Sequence, residues 1–293
     1  MKVVSKILIA YDGSACSDAA LKDLGRAGLP ATVEASVVTV AHVFLPPPEG
    51  EVTEDELLSP ATAVMVRPSQ AQAEDAVTQA LAVAERAAER VRENFPGWSV
   101  KAEARGDSPA WALIKMADRL GVDLVVIGSH GHSSAGGRLI LGSVSQRVLY
   151  EAPCSVRVAR CTDERRAGPV RLVVGFNGTH DSETAVEAVA SRAWAEGSEA
   201  RLINARAKTM PEAHDAALEK LRAAGLSVSE VVRDGDPAHV LVREAEEWSA
   251  DSIFVGTRDL HGFRHLLHGS ISSAVAASAQ CSVEVTRAKR DAA

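Results

Sequence analysis

Four blocks of this sequence occur twice, in the same order. "KILIAYDGS" at Lys6 returns as "RLVVGFNGT" at Arg171, and "GDSPAWALIKMA" at Gly106 as "GDPAHVLVREAE" at Gly235. "DLVVIGSHG" at Asp123 returns as "DSIFVGTRD" at Asp251, and "GSVSQRVLYEAPCSVRV" at Gly142 as "GSISSAVAASAQCSVEV" at Gly269. Such self-similarity constrains the fold more than any other feature, because each copy must build the same unit. The offset between copies falls from 165 at Asp12/Asn177 to 129 at Gly106/Gly235 and 127 at Gly142/Gly269. The second copy therefore lacks about 36 residues between its first two blocks. There the first copy carries the proline-rich stretch 45–70, expected to be an exposed loop, and a longer helix. The polar segment "CTDERRAGP" reads as a linker. The boundaries follow as 1–161 and 169–289, within a chain of 293 residues that is long enough for two cores.

Inside each copy, strand-like and helix-like patterns alternate. The run "LVVIG" is apolar on both faces, as a central parallel strand is. An Ala-rich helix is expected from Gln70 to Asn94, stopping at Phe95-Pro96-Gly97. Asp107 or Ser108 before Pro109, and Asp236 before Pro237, signal helix starts. The expected fold class is α/β, with two tandem Rossmann-like domains, each a five-stranded parallel sheet sandwiched by helices.

The stretch "GSHGHSSAGGRLILGS", Gly128 to Ser143, follows the strand "DLVVI" and leads into a helix. A loop at the carboxyl end of a parallel strand lies where such folds bind ligands. Glycines allow close backbone approach. Successive N–H groups form an anion nest, and Gly142-Ser143 opens a helix whose free N–H groups and dipole favour phosphate. The chemistry points to a phosphorylated ligand, a nucleotide being the natural choice. Neither a Walker A lysine nor a G-x-G-x-x-G signature is present.

With an early "YDGS" and a late "APC", the loop resembles that of the universal stress protein family, whose pattern is Gly-x2-Gly, about nine residues, then Gly-Ser/Thr. The likeness covers nearly the whole chain in two tandem copies. It implies the adenine nucleotide alpha hydrolase-like form of the fold and a site for ATP, with or without magnesium. The family's contacts fall on Asp12, Val43, Ile127, Gly128, His130, Gly131, Gly142, Ser143 and Val144. The implied roles are a carboxylate near ribose and adenine, backbone contacts around adenine, and donors for the phosphates. The resemblance also implies that the last strands, "SVRVAR" and "SVEVTR", meet across a pseudo-two-fold axis, so that the chain mimics a dimer; a homodimer of whole chains is compatible with this.

There are departures from the family pattern. Ten residues rather than nine separate Gly131 from Gly142, the extra one falling near Gly136-Gly137. The second copy has Asp259 in place of the second glycine and Asn177 in place of Asp12. One carboxylate about 4 Å from a phosphate costs about 4 kcal/mol at an effective dielectric of about 20, roughly a thousandfold in affinity. A bridging cation would reverse that sign. The expectation is ATP in the first half and a degenerate second half. Two alternatives stand: a nucleotide-free scaffold, and a weak ATPase or autophosphorylating protein, with Ser133 and Ser134 as acceptors.

Other residues have simpler readings. Asp12 suits an N-cap for the first helix. His261, His265 and His268 share helical spacing, but Gly262 argues for a loop rather than a metal site. His130 and His132 can donate to phosphate, and Arg138 and Arg264 can neutralise it. His42 reads as a packed or capping residue. Cys154 and Cys281 read as small buried hydrophobes. The absence of C-x-x-C spacing among Cys16, Cys154, Cys161 and Cys281 suits reduced thiols in the cytoplasm. A net charge of −7 argues against nucleic acid or anionic membrane as partner. No apolar run approaches the roughly 20 residues of a membrane span.

Overall fold

The computed structural model describes residues 3–43, 70–131, 141–161, 168–205, 211–257 and 271–288. The first half runs β1 (Lys6–Ala10), α1 (Ala15–Asp23), β2 (Glu34–Ala41), α2 (Gln70–Asn94), β3 (Ser99–Gly106), α3 (Pro109–Leu120), β4 (Leu124–Gly128), α4 (Ser143–Glu151) and β5 (Ser155–Ala159). The second repeats it as β6 (Arg171–Gly175), α5 (His180–Ala190), β7 (Glu199–Asn204), α6 (Pro211–Ala223), β8 (Ser227–Val232), α7 (Pro237–Glu247), β9 (Ser252–Gly256), α8 (Ile271–Ser278) and β10 (Ser282–Thr286). The proline-rich stretch 45–70 lies almost wholly outside the described residues.

Local chemistry sets the helix ends. Ser14 caps α1 by accepting from Ser17 N. Asp236 caps α7 by accepting from His239 N at 3.0 Å. Pro109 opens α3, and Gly121, with φ of 59°, closes it in the left-handed region that glycine tolerates. After α2, Trp98 stacks on Phe95 at 4.2 Å and donates through Nε1 to Pro30 O.

All ten strands form one sheet, in the order β3-β2-β1-β4-β5-β10-β9-β6-β7-β8. Each half is parallel throughout and has the same internal order. The halves join through the antiparallel pair β5–β10, in the register Val158↔Val283, Arg157↔Glu284 and Val156↔Val285. The last strand of each half is thus the edge of its own five strands and the centre of the whole sheet.

Side chains alternate across this seam. Val156, Val158, Val283 and Val285 face a single core that spans both halves and also takes in buried residues of α3, α4, α7 and α8. The opposite face has two separate cores, one under α1 and α2, the other under α5 and α6. Between those two lies a buried polar group. Arg157, fully buried, pairs with Asp23 at 2.5 Å and with Glu284 at 3.4 Å. Glu284 pairs in turn with Arg192, which donates to Ala27 O. Arg157 also donates to Ser252 Oγ, and Ser282 Oγ donates to Asp23. Signs alternate through the group, so each charge has an opposite neighbour in a site that water does not reach.

Removing one member leaves the others buried without full compensation. Arg157→Ala is expected to lower unfolding stability by about 3–5 kcal/mol. Denaturant titration of the full chain measures this, and a loss below about 1 kcal/mol would contradict the interior role given to this residue.

Candidate functional site

In the order 3-2-1-4-5 the direction of winding reverses between β1 and β4. The carboxyl ends of those two strands form the crevice where open α/β sheets take ligands. The sequence-derived candidates gather there. Asp12 follows β1, is exposed, and accepts from Ser14 N at 2.9 Å through Oδ1. The turn it makes precedes α1, so the cap of that helix is Ser14 and not Asp12, which corrects the sequence reading. Asp12 Oδ2 stands 2.7 Å from the place a Cβ on Gly131 would take, so the carboxylate lies against the loop backbone and would have to turn aside for any larger residue there.

Gly128 ends β4 with α1 lying directly on it. A Cβ there would come within 2.7 Å of the Cys16 carbonyl. Gly128 O accepts from Ser145 Oγ at 2.7 Å, and Ser129 N donates to Ala159 O. Gly142 N donates to Ser129 O at 2.8 Å, and a Cβ on Gly142 would lie 3.4 Å from His130 Cα. The two ends of the glycine-punctuated connection are thereby tied together at the mouth of the crevice. Gly142 is the N-cap of α4 and gives it no side-chain cap bond, so the N–H groups of the first turn are left uncapped by the N-cap residue itself. Ser143 is exposed at that turn, and Val144 is half-buried beside it. Ile127, one residue before Gly128, is buried under the crevice. Val43, two residues beyond β2, is buried against Gly106, which has no room for a side chain there.

His130 is held between these parts. Its Nδ1 lies 3.1 Å from Ser129 Oγ, while Nε2 is buried without a hydrogen-bond partner among the described residues. Burial, and then the positive charge of Arg160, hold its pKa below the ordinary histidine value. The imidazole is therefore neutral at neutral pH, and Nε2 can serve a ligand as donor or acceptor according to tautomer.

The second half keeps the scaffold and changes the chemistry. A Cβ on Gly256, the counterpart of Gly128, would fall 1.7 Å from Asp181 O. Asn177 replaces Asp12, and its Oδ1 accepts from Thr179 N and Thr179 Oγ1. Thr179 caps α5.

His132, Ser133, Ser134, Gly136, Gly137 and Arg138 lie outside the described residues, as do Asp259, His261, Gly262, Arg264, His265 and His268. His42 is exposed rather than packed. The four cysteines are free; Cys154 is buried, and burial pushes the Cys281 thiol up to about 12. Sequence reasoning missed Ser145, which fixes α4 to the end of β4. Its signal was available in the repeat, since "GSVS" and "GSIS" place a serine at equivalent positions, and both Ser145 and Ser272 are buried.

A doubly repeated α/β unit with a glycine-lined crevice at its switch point defines a Rossmann-like class, and comparison with known proteins narrows it. The model of the Universal stress protein family matches residues 4–160 and 179–287. A universal stress protein of Mycolicibacterium smegmatis is 31% identical over 302 aligned positions, covering 96% of each chain. One of Mycobacterium tuberculosis is 32% identical over 185, covering 56% of this chain and 61% of its own. Among solved structures, a universal stress protein from Archaeoglobus fulgidus superposes with a TM-score of 0.64 at 19% identity, covering 96% of both chains. The chain belongs to the universal stress protein family, as a tandem member, and that membership supports a role in stress response. No helix among the described residues is long and apolar enough to cross a membrane.

The state of His130 can be read directly. A depressed pKa means that the unfolded chain takes up the proton first, so this residue's contribution to stability is present above about pH 6.5 and is lost as pH falls below it. An NMR titration of the His130 ring is expected to give a midpoint below the ordinary histidine value; a midpoint at or above it contradicts the buried environment.

Proposed function

We propose that the protein binds ATP in its first half and works as a nucleotide-dependent regulator or interaction module in the stress response. The contact of Asp12 with Gly131 carries this reading. It sets a carboxylate beside glycine backbone, next to the uncapped first turn of α4. In this arrangement the N–H groups of Ser143 and Val144, with the Ser143 hydroxyl, receive the phosphates over the bare backbone of Gly142, whose own N–H is held by Ser129 O. Asp12 faces the ribose, and the backbone near Val43, Ile127 and Gly128 borders the adenine. His130 and Gly131 stand between the two ends of the nucleotide. Magnesium, where present, arrives on the phosphates.

Fit supports the assignment. Gly131 and Gly142 leave the backbone bare at the crevice, and His130, whose Cα lies 3.4 Å from the place of a Cβ on Gly142, carries an Nε2 without a hydrogen-bond partner among the described residues. The second half, with Asn177 in place of the carboxylate, is read as the weaker or vacant partner. The free thiols suit a reducing cytoplasm. Any homodimer would have to use surfaces other than the β5 and β10 edges, which are already paired.

Native mass spectrometry of gently purified protein is expected to show one adenine nucleotide per chain. Calorimetry on stripped protein is expected to give a single ATP site. Gly142→Val should abolish that binding while leaving the circular dichroism spectrum unchanged. A stripped wild-type chain that takes up no ATP would instead favour the nucleotide-free scaffold. Release of phosphate, or label transferred to protein from radiolabelled ATP, would identify the enzymatic alternative.

A further inference from the structure

Each half closes its last strand with the same residue. Arg160 ends "SVRVAR" and Arg287 ends "SVEVTR". Both side chains cross the seam and meet the carboxyl end of a helix in the other half. Arg160 Nη2 donates to Ala276 O at 2.5 Å and to Ala277 O at 2.9 Å, at the end of α8. Arg287 donates through Nη1 to Cys154 O at 3.0 Å and through Nη2 to Leu149 O, at the end of α4.

The two clamps are not equivalent in what they replace. The last carbonyls of a helix have no donor within it unless the following chain supplies one. The residue four beyond Leu149 is Pro153, which has no N–H. In the second half the same place is Gln280, which keeps its N–H. Leu149 O thus takes its hydrogen bond from a guanidinium of the opposite half. A positive charge at this end also complements the helix dipole.

Helix α4 has nine residues, so it spans about 13 Å and moves as one short rod. Its other end is the Gly142-Ser143 turn. Gly142 N, bonded to Ser129 O, fixes one end of the rod, and Arg287 fixes the other. The direction in which the first-turn N–H groups point depends on both.

We propose that Arg287, a residue of the second half, is a positioning residue for the nucleotide site of the first half; this rests on the ATP reading given above. By linkage, a nucleotide that is held better when α4 is clamped must tighten the clamp to the same degree. Occupancy of the first half is thereby felt in the last strand of the second.

The test uses the full chain as wild type, Arg287→Ala, Arg287→Lys and Arg26→Ala. The last removes an ion pair that also crosses the seam, Arg26–Asp251 at 2.7 Å; Arg26 follows α1, on the face of the sheet opposite to that of α4. ATP affinity by calorimetry is expected to fall about fivefold or more in Arg287→Ala, to recover in part in Arg287→Lys, and to stay at the wild-type value in Arg26→Ala. Hydrogen exchange without nucleotide should quicken over residues 146–151 in Arg287→Ala while α3 keeps its wild-type rate. In wild type, saturating ATP should slow exchange over 148–151 and 286–288. Failure of wild type to bind ATP overturns the functional reading and the proposal with it. Wild-type binding with equal affinity in Arg287→Ala, or equal losses in Arg287→Ala and Arg26→Ala, overturns the positioning role alone. Should Arg287→Ala not fold, the wild-type exchange decides: no slowing at 148–151 and 286–288 under ATP overturns the role.

Discussion

The antiparallel pairing of β5 with β10 is the contact on which the rest of the molecule depends. It turns two five-stranded sheets into one and places four valines in a core that belongs to neither half alone. On the other face the same strands present Arg157 and Glu284, directly opposed. Neither could be buried singly, because an uncompensated charge in such a site costs several kcal/mol. Asp23 from α1 and Arg192 from just beyond α5 complete an alternating set, and the aromatic ring of Phe254 lies within 6 Å of both guanidiniums. Specific association of the halves follows from hydrogen-bonded strands, shared apolar burial and charges that fit only in this register.

The site is a consequence of the same topology. Reversal of winding between β1 and β4 opens the crevice, and glycine at 128, 131 and 142 lets α1, the Asp12 carboxylate and the β4 extension come together. The second half repeats the close packing at Gly256 but offers Asn177 where the first half has an acid. Packing and ligand chemistry have therefore separated: the glycine that seats a helix on a strand persists, while the polar group facing the crevice has changed.

Much of this was legible in the chain. The repeat gave the element order of both halves, and Pro96 with Gly97 marked the end of α2. The resemblance implied that the last strands, "SVRVAR" and "SVEVTR", meet, as β5 and β10 do. What could not be read was the partner of each charge. Arg157 meets Asp23, 134 positions earlier, and Glu284 meets Arg192 across 92 positions; no local pattern encodes such pairs. The cap of α1 was misassigned because "DGS" offers two oxygens at adjacent heights, and only the backbone turn shows that Asp12 bonds to Ser14 while Ser14 bonds to Ser17. The exposure of His42 was likewise invisible, since a strand end in sequence does not tell which way the following residue points. Among the site residues, the glycine loop was read from the residues themselves and Asp12 from the family resemblance, whereas the dependence of His130 on burial and on Arg160 needed coordinates.

One apolar layer runs beneath both halves without a break. Two copies that began as interchangeable units have become parts of a single cooperative body, so neither can loosen without exposing greasy surface on its twin. A replacement that fits one copy must also suit the other. Duplication here has ended in interdependence.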